Sequence, residues 1–329
     1  MGDIIPYCCI VLTVPKVFIC YQCLALNIAK VTSKKIERCQ NHSQQPQYNK
    51  NTQNNKRNIL SLTPSKTKME LLKYNTPTEI TAFSTKRAGG VGQGTYSSFN
   101  ITHYCGDSDE NVTANRALLC SHLKINDTQL ILPHQTHGTN ILEIDKEFLS
   151  LDAPSRTRLL YSVDALYTRE KGICIGVSTA DCIPVLLYDP QSSTVAAIHA
   201  GWRGTVAGIV EKSIQAMKHS CNINPATTQA IIAPGISLDA FEVGDEVYDT
   251  FRAASFPMER IARRYGERWH IDLPRANMLQ LLSSGLNEAN ITLSGVCTHT
   301  LHNEFFSARR LGIKSGRIFN GIMISPCPQ

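Results

Sequence analysis

Three consecutive apolar runs rich in β-branched residues constrain the fold of this chain most strongly. They are Ile173 to Ser178, Ile183 to Tyr188 and Thr194 to Ala200, and a short polar segment, Asp-Pro-Gln-Ser-Ser, separates the last two. Runs of this length and composition predict buried β-strands, and the polar segment predicts a turn between the second and the third. We therefore expect an antiparallel hairpin inside a larger sheet.

Helical patterns alternate with further strand patterns along the rest of the chain. Thr205 is the predicted N-cap of a helix that reaches about His219. Helices are also expected over 242–253 and 274–288, and strands over 291–297 and 317–324. This mixture, which has no internal repeat, predicts an α/β fold, namely a mixed-sheet α/β sandwich built as a single domain.

The composition changes abruptly at Met69. Residues 30–68 consist mainly of Lys, Asn, Gln and Ser, so this segment has too little apolar surface to offset the entropy of ordering. We predict that residues 1–68 are a disordered extension or the product of a misplaced start codon, and that 69–329 is the functional domain. Cys20 and Cys23 form a lone CxxC pair, which is weak evidence for zinc.

Charge and cysteine content exclude several classes of protein. The chain carries a formal charge of +6, but residues 1–68 hold 10 Lys and Arg against 2 Asp and Glu, and the remainder holds 23 against 25. A nucleic-acid partner is therefore not expected. No stretch of about 18 uncharged apolar residues predicts a membrane span. The 12 cysteines show no disulfide framework, which favours a reducing, cytoplasmic location.

Three segments place metal-ligating side chains beside glycine or at a strand end. They are His134 to Gly138, Thr179 to Cys182 and His199 to Gly204. A catalytic zinc site takes three protein ligands and leaves a fourth position open. Because antiparallel pairing brings the two outer ends of the predicted hairpin together, Cys182 and His199 are expected to meet. Taken singly, a strand-end cysteine is usually part of the core and a lone histidine is usually a satisfied polar group.

The chain from Met69 onward resembles the laccase-domain proteins, which were long described as polyphenol oxidases and are now regarded as zinc-dependent purine nucleoside phosphorylases. The sequence around Leu132-Pro133-His134 is similar to that of the family branch found in Bacteroides-type gut bacteria. Nothing before Met69 matches. The matching stretches are Phe83 to Val91, Cys105 to Asp107, Ala114 to Arg116, His134 to Gly138, Thr179 to Val185, His199 to Gly204, Pro234 to Ile236, Phe241 to Gly244, Asp272 to Leu273, Ala276 to Asn277, Phe305 to Ser307 and Arg309 to Arg310.

The resemblance implies that His137, Cys182 and His199 hold zinc, and copper is also expected to bind these three ligands. It implies phosphorolysis of adenosine, inosine, guanosine and methylthioadenosine, with purine nucleosides and phosphate as the binding partners. Deamination of adenosine to inosine is also implied, although the signature of the zinc deaminases, HxE in combination with PCxxC, is absent. His134 is expected next to the ligands or as an acid–base group.

Three further residues are candidates for the chemistry. Arg203, in the segment that opens the predicted helix, and Arg87, beside Gly89 and Gly90, are candidate phosphate-binding groups. For Arg203 a solvated surface charge is an equally good interpretation. Asp181 precedes a predicted zinc ligand and is expected either to act as a general base or to orient His199.

Three alternative functions remain open at the level of sequence. Cys182 activated by His199 would make a cysteine hydrolase or amidase of the peptidoglycan-editing type. A copper-dependent polyphenol oxidase would normally need paired HxH motifs, and the chain has none. A non-enzymatic binding protein is the third alternative, and it would turn over no nucleoside even when loaded with metal.

Overall fold

The computed structural model of the protein describes residues 68–326. The disordered extension and the CxxC pair predicted for residues 1–68 lie outside the described residues, apart from Lys68 itself. The strands are β1 (Leu71–Lys73), β2 (Ile80–Thr85), β3 (Leu130–Ile131), β4 (Ile141–Glu143), β5 (Ala165–Thr168), β6 (Cys174–Thr179), β7 (Ile183–Asp189), β8 (Thr194–Ala200), β9 (Gln229–Ile232), β10 (Glu242–Val243), β11 (Ala262–Tyr265), β12 (Arg268–Ile271), β13 (Ile291–Leu293) and β14 (Ile318–Ile324). The α-helices are α1 (Asp109–Leu123), α2 (Lys146–Ser150), α3 (Ala153–Leu159), α4 (Trp202–Val206), α5 (Ile209–Cys221), α6 (Asp245–Ala253), α7 (Met258–Ile261), α8 (Leu273–Ser283) and α9 (Ala308–Leu311).

Two large mixed sheets dominate the architecture. One has five strands in the order β1-β2-β14-β6-β3, and the other has six in the order β13-β9-β7-β8-β5-β4. Each combines antiparallel pairs with parallel ones, β3 with β6 in the first and β13 with β9 and β4 with β5 in the second. A small antiparallel sheet of β10, β12 and β11 completes the set. The predicted α/β sandwich of mixed sheets is confirmed.

The six-stranded sheet is buried on both faces. Leu186 of β7 lies in one core cluster with Ile175 of β6 and Ile322 of β14, so this face packs on the five-stranded sheet. Its neighbour Leu187 lies in a second cluster with Ile214 of α5 and other helical residues, so the opposite face packs on helices. A strand covered on both sides reads as a continuous apolar run, which explains the sequence pattern of β7 and β8.

Two predicted helices differ from those observed. The helix expected from Thr205 to His219 is divided into α4 and α5, because Gly208 between them adopts a left-handed conformation with φ of 74°. The N-cap of the first piece is Gly201 rather than Thr205. The helix expected over 274–288 ends at Ser283, shortly before Gly285 with φ of 97°.

The other predicted elements are close to the observed ones. Strand β14 and helix α6 lie within their predicted ranges, and the strand expected over 291–297 stops at Leu293. Within residues 68–326, no helix has both the length and the apolar character that crossing a membrane requires.

Candidate metal centre

The β7–β8 hairpin brings two predicted ligands to one place. Ile183 pairs with Ala200 and Pro184 pairs with His199, so the expected antiparallel hairpin is confirmed. Cys182 immediately precedes the first paired residue of β7, and Gly201 follows the last one of β8. The open end of the hairpin therefore carries the thiol and the imidazole side by side.

The His134–Gly138 loop delivers the third ligand because Gln135 fastens the loop to β6. The buried Gln135 amide accepts a hydrogen bond from Ser178 N at 2.7 Å and donates one to Ser178 O at 2.9 Å, as a neighbouring strand would. Ser178 is close to the end of β6, and the chain continues from there to Cys182. The loop is thereby held at the strand end that leads into the thiol.

His137, Cys182 and His199 form a cluster whose ligand atoms all lie within 4.8 Å of one another. The His137 Nε2 to Cys182 Sγ distance is 3.7 Å. A tetrahedral ion with bonds of about 2.3 Å to sulfur and about 2.0 Å to nitrogen would separate two such ligands by about 3.6 Å. The residues present therefore fit a tetrahedral metal ion. His199 is buried, whereas His137 is exposed, so the centre opens toward solvent on the His137 side.

Gly201 lies directly against this cluster. A Cβ atom built on Gly201 would be 2.8 Å from His137 Cδ2 and 3.1 Å from Cys182 Sγ. Its φ of −67° is ordinary for any residue, so the reason for glycine here is contact and not backbone conformation. The start of the AGWRG segment thus makes room for two ligands.

Asp164, a residue that the sequence reasoning missed, lies beneath the cluster and is fully buried. It directly precedes β5, and its Oδ1 atom is 2.8 Å from Nδ1 of His199. Three consecutive backbone N–H groups, those of Thr136, His137 and Gly138, also donate to its carboxylate. The available sequence signal was a carboxylate embedded in an otherwise apolar run, Val163-Asp164-Ala165-Leu166.

The electrostatics of the cluster favour a thiolate. Burial opposes ionisation of Cys182, but the charge of His199 and hydrogen bonds from His137 and His199 outweigh it and hold the pKa of the thiol below its ordinary value. Burial likewise opposes the charged form of His199, but the Cys182 thiolate and Asp164 raise its pKa. Since the thiolate is the form that binds metals and attacks electrophiles, both chemistries are available to Cys182.

The orienting contact that we expected from Asp181 is made by Asp164 instead. Asp181 turns the other way, and its carboxylate accepts hydrogen bonds at 2.7 Å from both Thr298 Oγ1 and Arg309 N. It does so from a left-handed conformation, with φ of 89°. Asp181 therefore connects the turn before Cys182 to the segment 298–309, which was not foreseen as part of the site.

The two predicted arginines lie in different surroundings. Arg203 is exposed in α4 and its guanidinium stacks on Trp202, 4.2 Å from the ring centroid. Arg87 donates to the carbonyl oxygens of Ser97 and His302 at 2.6 and 2.8 Å. Arg203 is thus presented to solvent two residues after Gly201, whereas Arg87 joins two loops.

His134 lies in a group of aromatic rings at the surface. Its ring stacks on Tyr104 with centroids 4.4 Å apart, and Tyr161 meets it edge-on at 5.0 Å. Tyr161 is 63% exposed. The loop therefore presents aromatic surface to solvent three residues before His137.

Comparison with known proteins identifies the family. Residues 81–325 match the family described as multi-copper polyphenol oxidoreductase laccase. A purine nucleoside phosphorylase of Bacteroides thetaiotaomicron is 46% identical over 268 residues, which cover 81% of this chain and 99% of that protein. Adenosine deaminase RL5, from an unknown prokaryotic organism, is 42% identical over 246 residues, covering 74% of this chain and 93% of that protein.

The fold is similar to that of solved structures. The crystal structure of YlmD from Geobacillus stearothermophilus aligns with a TM-score of 0.73 at 30% identity, covering 78% of this chain and 96% of that one. Together with the match over residues 81–325, this confirms the resemblance stated from the sequence. The chain belongs to the laccase-domain family.

Proposed function

We propose that this protein is a zinc-dependent purine nucleoside phosphorylase that cleaves adenosine, inosine, guanosine and methylthioadenosine with phosphate. The observation that carries the proposal is the convergence of His137, Cys182 and His199 on one point at metal-ligand spacing. Two imidazoles and a thiolate are an open donor set for zinc, which when bound polarises a ligand oxygen or a leaving group. The relatives named purine nucleoside phosphorylase support the substrate class.

Phosphorolysis needs groups that bind phosphate and groups that move a proton. A phosphate oxygen attacks C1′ of the sugar, the bond from C1′ to the purine nitrogen breaks, and the leaving base takes up a proton. Arg203 supports the phosphate role because it is exposed and follows two residues after Gly201, the glycine that lies against His137 and Cys182. Arg87 is the second candidate for phosphate, and His134 and Asp181 are the candidates for proton transfer.

Deamination of adenosine is a second candidate activity of the same centre. It is supported by the relative named adenosine deaminase, which is 42% identical to this chain. Hydrolytic replacement of the 6-amino group by oxygen needs an activated water and a proton donor, both of which an open zinc site with a neighbouring acid provides. Deamination consumes water and releases ammonia without phosphate, so the two activities are separable in one assay.

Among the alternative functions, the cysteine hydrolase is the one that the contacts of Cys182 support. Cys182, His199 and Asp164 form a thiol–imidazole–carboxylate series, and the pKa of the Cys182 thiol is held below its ordinary value. Such a series activates a nucleophile without a metal. Copper also binds imidazole and thiolate, so a polyphenol oxidase is the other outcome that metal analysis must distinguish.

The deciding experiment is anaerobic purification of the full chain, metal quantification and a nucleoside panel with and without phosphate. We expect one zinc per chain and phosphate-dependent release of adenine from adenosine. His137→Ala, Cys182→Ala and His199→Ala should each abolish zinc retention and adenine release. His122→Ala, at an exposed position of α1, is the matched control and should behave like the parent protein.

Three results would contradict the proposal. Unchanged turnover in any one ligand variant refutes the role of that residue. A metal-free enzyme that thiol alkylation inactivates indicates the hydrolase, and stoichiometric copper with oxygen-dependent turnover of phenols indicates the oxidase.

We also propose a reducing, cytoplasmic location, because Cys182 binds a metal only as a reduced thiolate.

A further inference from the structure

We propose that Asp164 is the positioning residue of the metal centre, which assembles two of the three ligands before any ion is bound. This inference rests on the proposed metal site but not on the identity of the substrate. No sequence motif predicted a role for Asp164. Its role is argued from one buried carboxylate that contacts both histidine ligands, one through its side chain and the other through its backbone.

The first function of Asp164 is to select the nitrogen that His199 presents. Its Oδ1 atom lies 2.8 Å from His199 Nδ1, so that nitrogen carries the proton and donates it. In the neutral ring the lone pair is therefore on Nε2, the nitrogen on the side of Cys182, and a metal ion that binds there displaces any proton on Nε2. A fixed tautomer and a fixed ring plane raise the fraction of time that a histidine is ready to bind a metal.

The second function of Asp164 is to shape the loop that carries His137. The N–H groups of Thr136, His137 and Gly138 all point at its carboxylate, at 3.3, 2.9 and 2.8 Å. His137 itself adopts a left-handed conformation with φ of 63°. Consecutive N–H groups that converge in this way form an anion-binding nest, and the bonds to the carboxylate offset the cost of the left-handed conformation, which a residue other than glycine seldom adopts.

All the hydrogen-bond acceptor positions of the Asp164 carboxylate are occupied. Oδ1 accepts from His199 Nδ1 and His137 N, and Oδ2 accepts from Gly138 N and Thr136 N. An ionised carboxylate has about four acceptor positions, and all four are taken here. An asparagine at this position would turn its NH₂ group either toward Thr136 N and Gly138 N or toward His137 N and His199 Nδ1, so at least one backbone N–H group would lose its acceptor in either orientation.

Asp164→Asn tests the proposal because it preserves shape and removes two acceptor positions. We expect zinc to bind about 10- to 100-fold more weakly, measured by competition with a chromophoric chelator. The absorption spectrum of the cobalt-substituted protein should shift, since the ligand geometry changes. Amide hydrogen exchange at Thr136, His137 and Gly138 should accelerate more than exchange in the strands. None of these readouts depends on nucleoside turnover, so they remain informative if the proposed activity is wrong.

Asp189→Asn is the matched control. Asp189 is equally buried and lies at the far end of the same hairpin, where it accepts hydrogen bonds from Ser192, Thr227 and Thr228. Its variant should lower the free energy of unfolding while zinc affinity stays within about twofold of the parent. If Asp164→Asn folds and binds zinc as tightly as the parent, or if both variants weaken zinc equally, the proposal is wrong. Should Asp164→Asn fail to fold, Asp164→Glu is measured in the same way, and parental affinity there also overturns the proposal.

Discussion

At the scale of single residues, the centre depends on what is absent from Gly201 as much as on what the ligands provide. The position has an ordinary φ, and only the missing side chain distinguishes it from alanine. A Cβ atom there would lie well inside normal contact distance of His137 Cδ2. The ligand rings and the thiol therefore share the space that glycine leaves open.

Gly201→Ala should consequently weaken metal binding through contact alone. The added methyl must displace His137 or Cys182, so we expect zinc affinity to fall at least about tenfold, with a loss of unfolding free energy of about 1–3 kcal/mol. Isothermal titration with zinc and chemical denaturation measure the two quantities. Gly266→Ala is the control for a glycine replacement that adds no contact, because a Cβ atom there would meet nothing within 4 Å. The positive φ of Gly266 imposes strain on that variant, but the strain is not at the cluster. Equal zinc affinity in the two variants would contradict the assignment.

The site residues that could be predicted from the sequence are those whose residue type itself indicates their chemistry. Cys182 and His199 could be paired because metals use few side-chain types and because the predicted hairpin brings these two together, whereas His137 was identified through the family resemblance. Asp164 and Gln135 were not foreseen because their roles depend on contacts with backbone groups that are distant in the sequence. Such contacts depend on tertiary packing, which local patterns do not encode. For the same reason the contact that orients His199, one of the two roles expected of Asp181, was not traced to Asp164.

At the scale of elements, Asp181 joins the ligand turn to the segment that runs from 298 to 309. Thr298 is fully buried and donates to one carboxylate oxygen, while the backbone N–H of Arg309, at the start of α9, donates to the other. Loss of these bonds should release the segment without removing any group from the ligand cluster.

Thr298→Val and Asp181→Asn together distinguish a connecting role from a proton-transfer role for Asp181. If the contact is what matters, both variants should lower the free energy of unfolding by about 1–2 kcal/mol and reduce turnover to a similar, few-fold extent. Chemical denaturation and steady-state kinetics supply the values. An inactive Asp181→Asn beside an unaffected Thr298→Val would instead identify Asp181 as a general base.

The elements themselves were predictable where one physical rule determined them. Runs buried on both faces are continuous and apolar, so β6, β7 and β8 could be placed within one residue or so. The division between α4 and α5 was missed because an apolar stripe continues across Gly208, and only its left-handed backbone separates the two helices. The short strands β3, β4 and β10 have too few residues to show a period.

At the scale of the whole molecule, buried thiols link stability to alkaline pH. Burial raises the pKa of Cys174, which lies fully buried in the core and close to Cys120. The unfolded chain ionises this thiol near pH 8.5, whereas the folded chain keeps its proton. The unfolded state then binds fewer protons, so stability must fall as the pH rises.

Between about pH 8.5 and 9.5, the free energy of unfolding should therefore decrease, by up to about 1.4 kcal/mol per pH unit from Cys174 alone. Denaturant titrations at a series of pH values measure the slope. Cys174→Ala should remove the contribution of this one thiol, although it lowers stability at every pH by leaving a cavity. Cys297→Ala, at a partly exposed thiol whose pKa is lowered in the fold, is the control. Its linkage has the opposite sign, so its removal should not make the slope shallower. An unchanged slope in Cys174→Ala would refute the linkage.

We further expect a chain that begins at Met69 to carry the fold and the activity. Met69 lies close to Gly89, Glu70 O accepts a hydrogen bond from Lys86 N, and β1 pairs with β2 from Leu71 onward. The family match also begins within this part, at residue 81. Its denaturation midpoint and kcat/KM should equal those of the full chain. A large loss of either would show that residues 1–68 contribute directly.

Strand β14 is the last strand described, yet it lies in the middle of the five-stranded sheet, hydrogen-bonded to β2 on one side and β6 on the other. During synthesis its two neighbours emerge from the ribosome long before it does. Until residues 318–324 are released, β2 and β6 have no strand between them. The His134–Gly138 loop, which is hydrogen-bonded to β6 through Gln135, then rests on an incomplete sheet. Metal loading is therefore expected to follow release of the completed polypeptide, and nascent chains stalled before residue 318 should be substrates for chaperones and proteases.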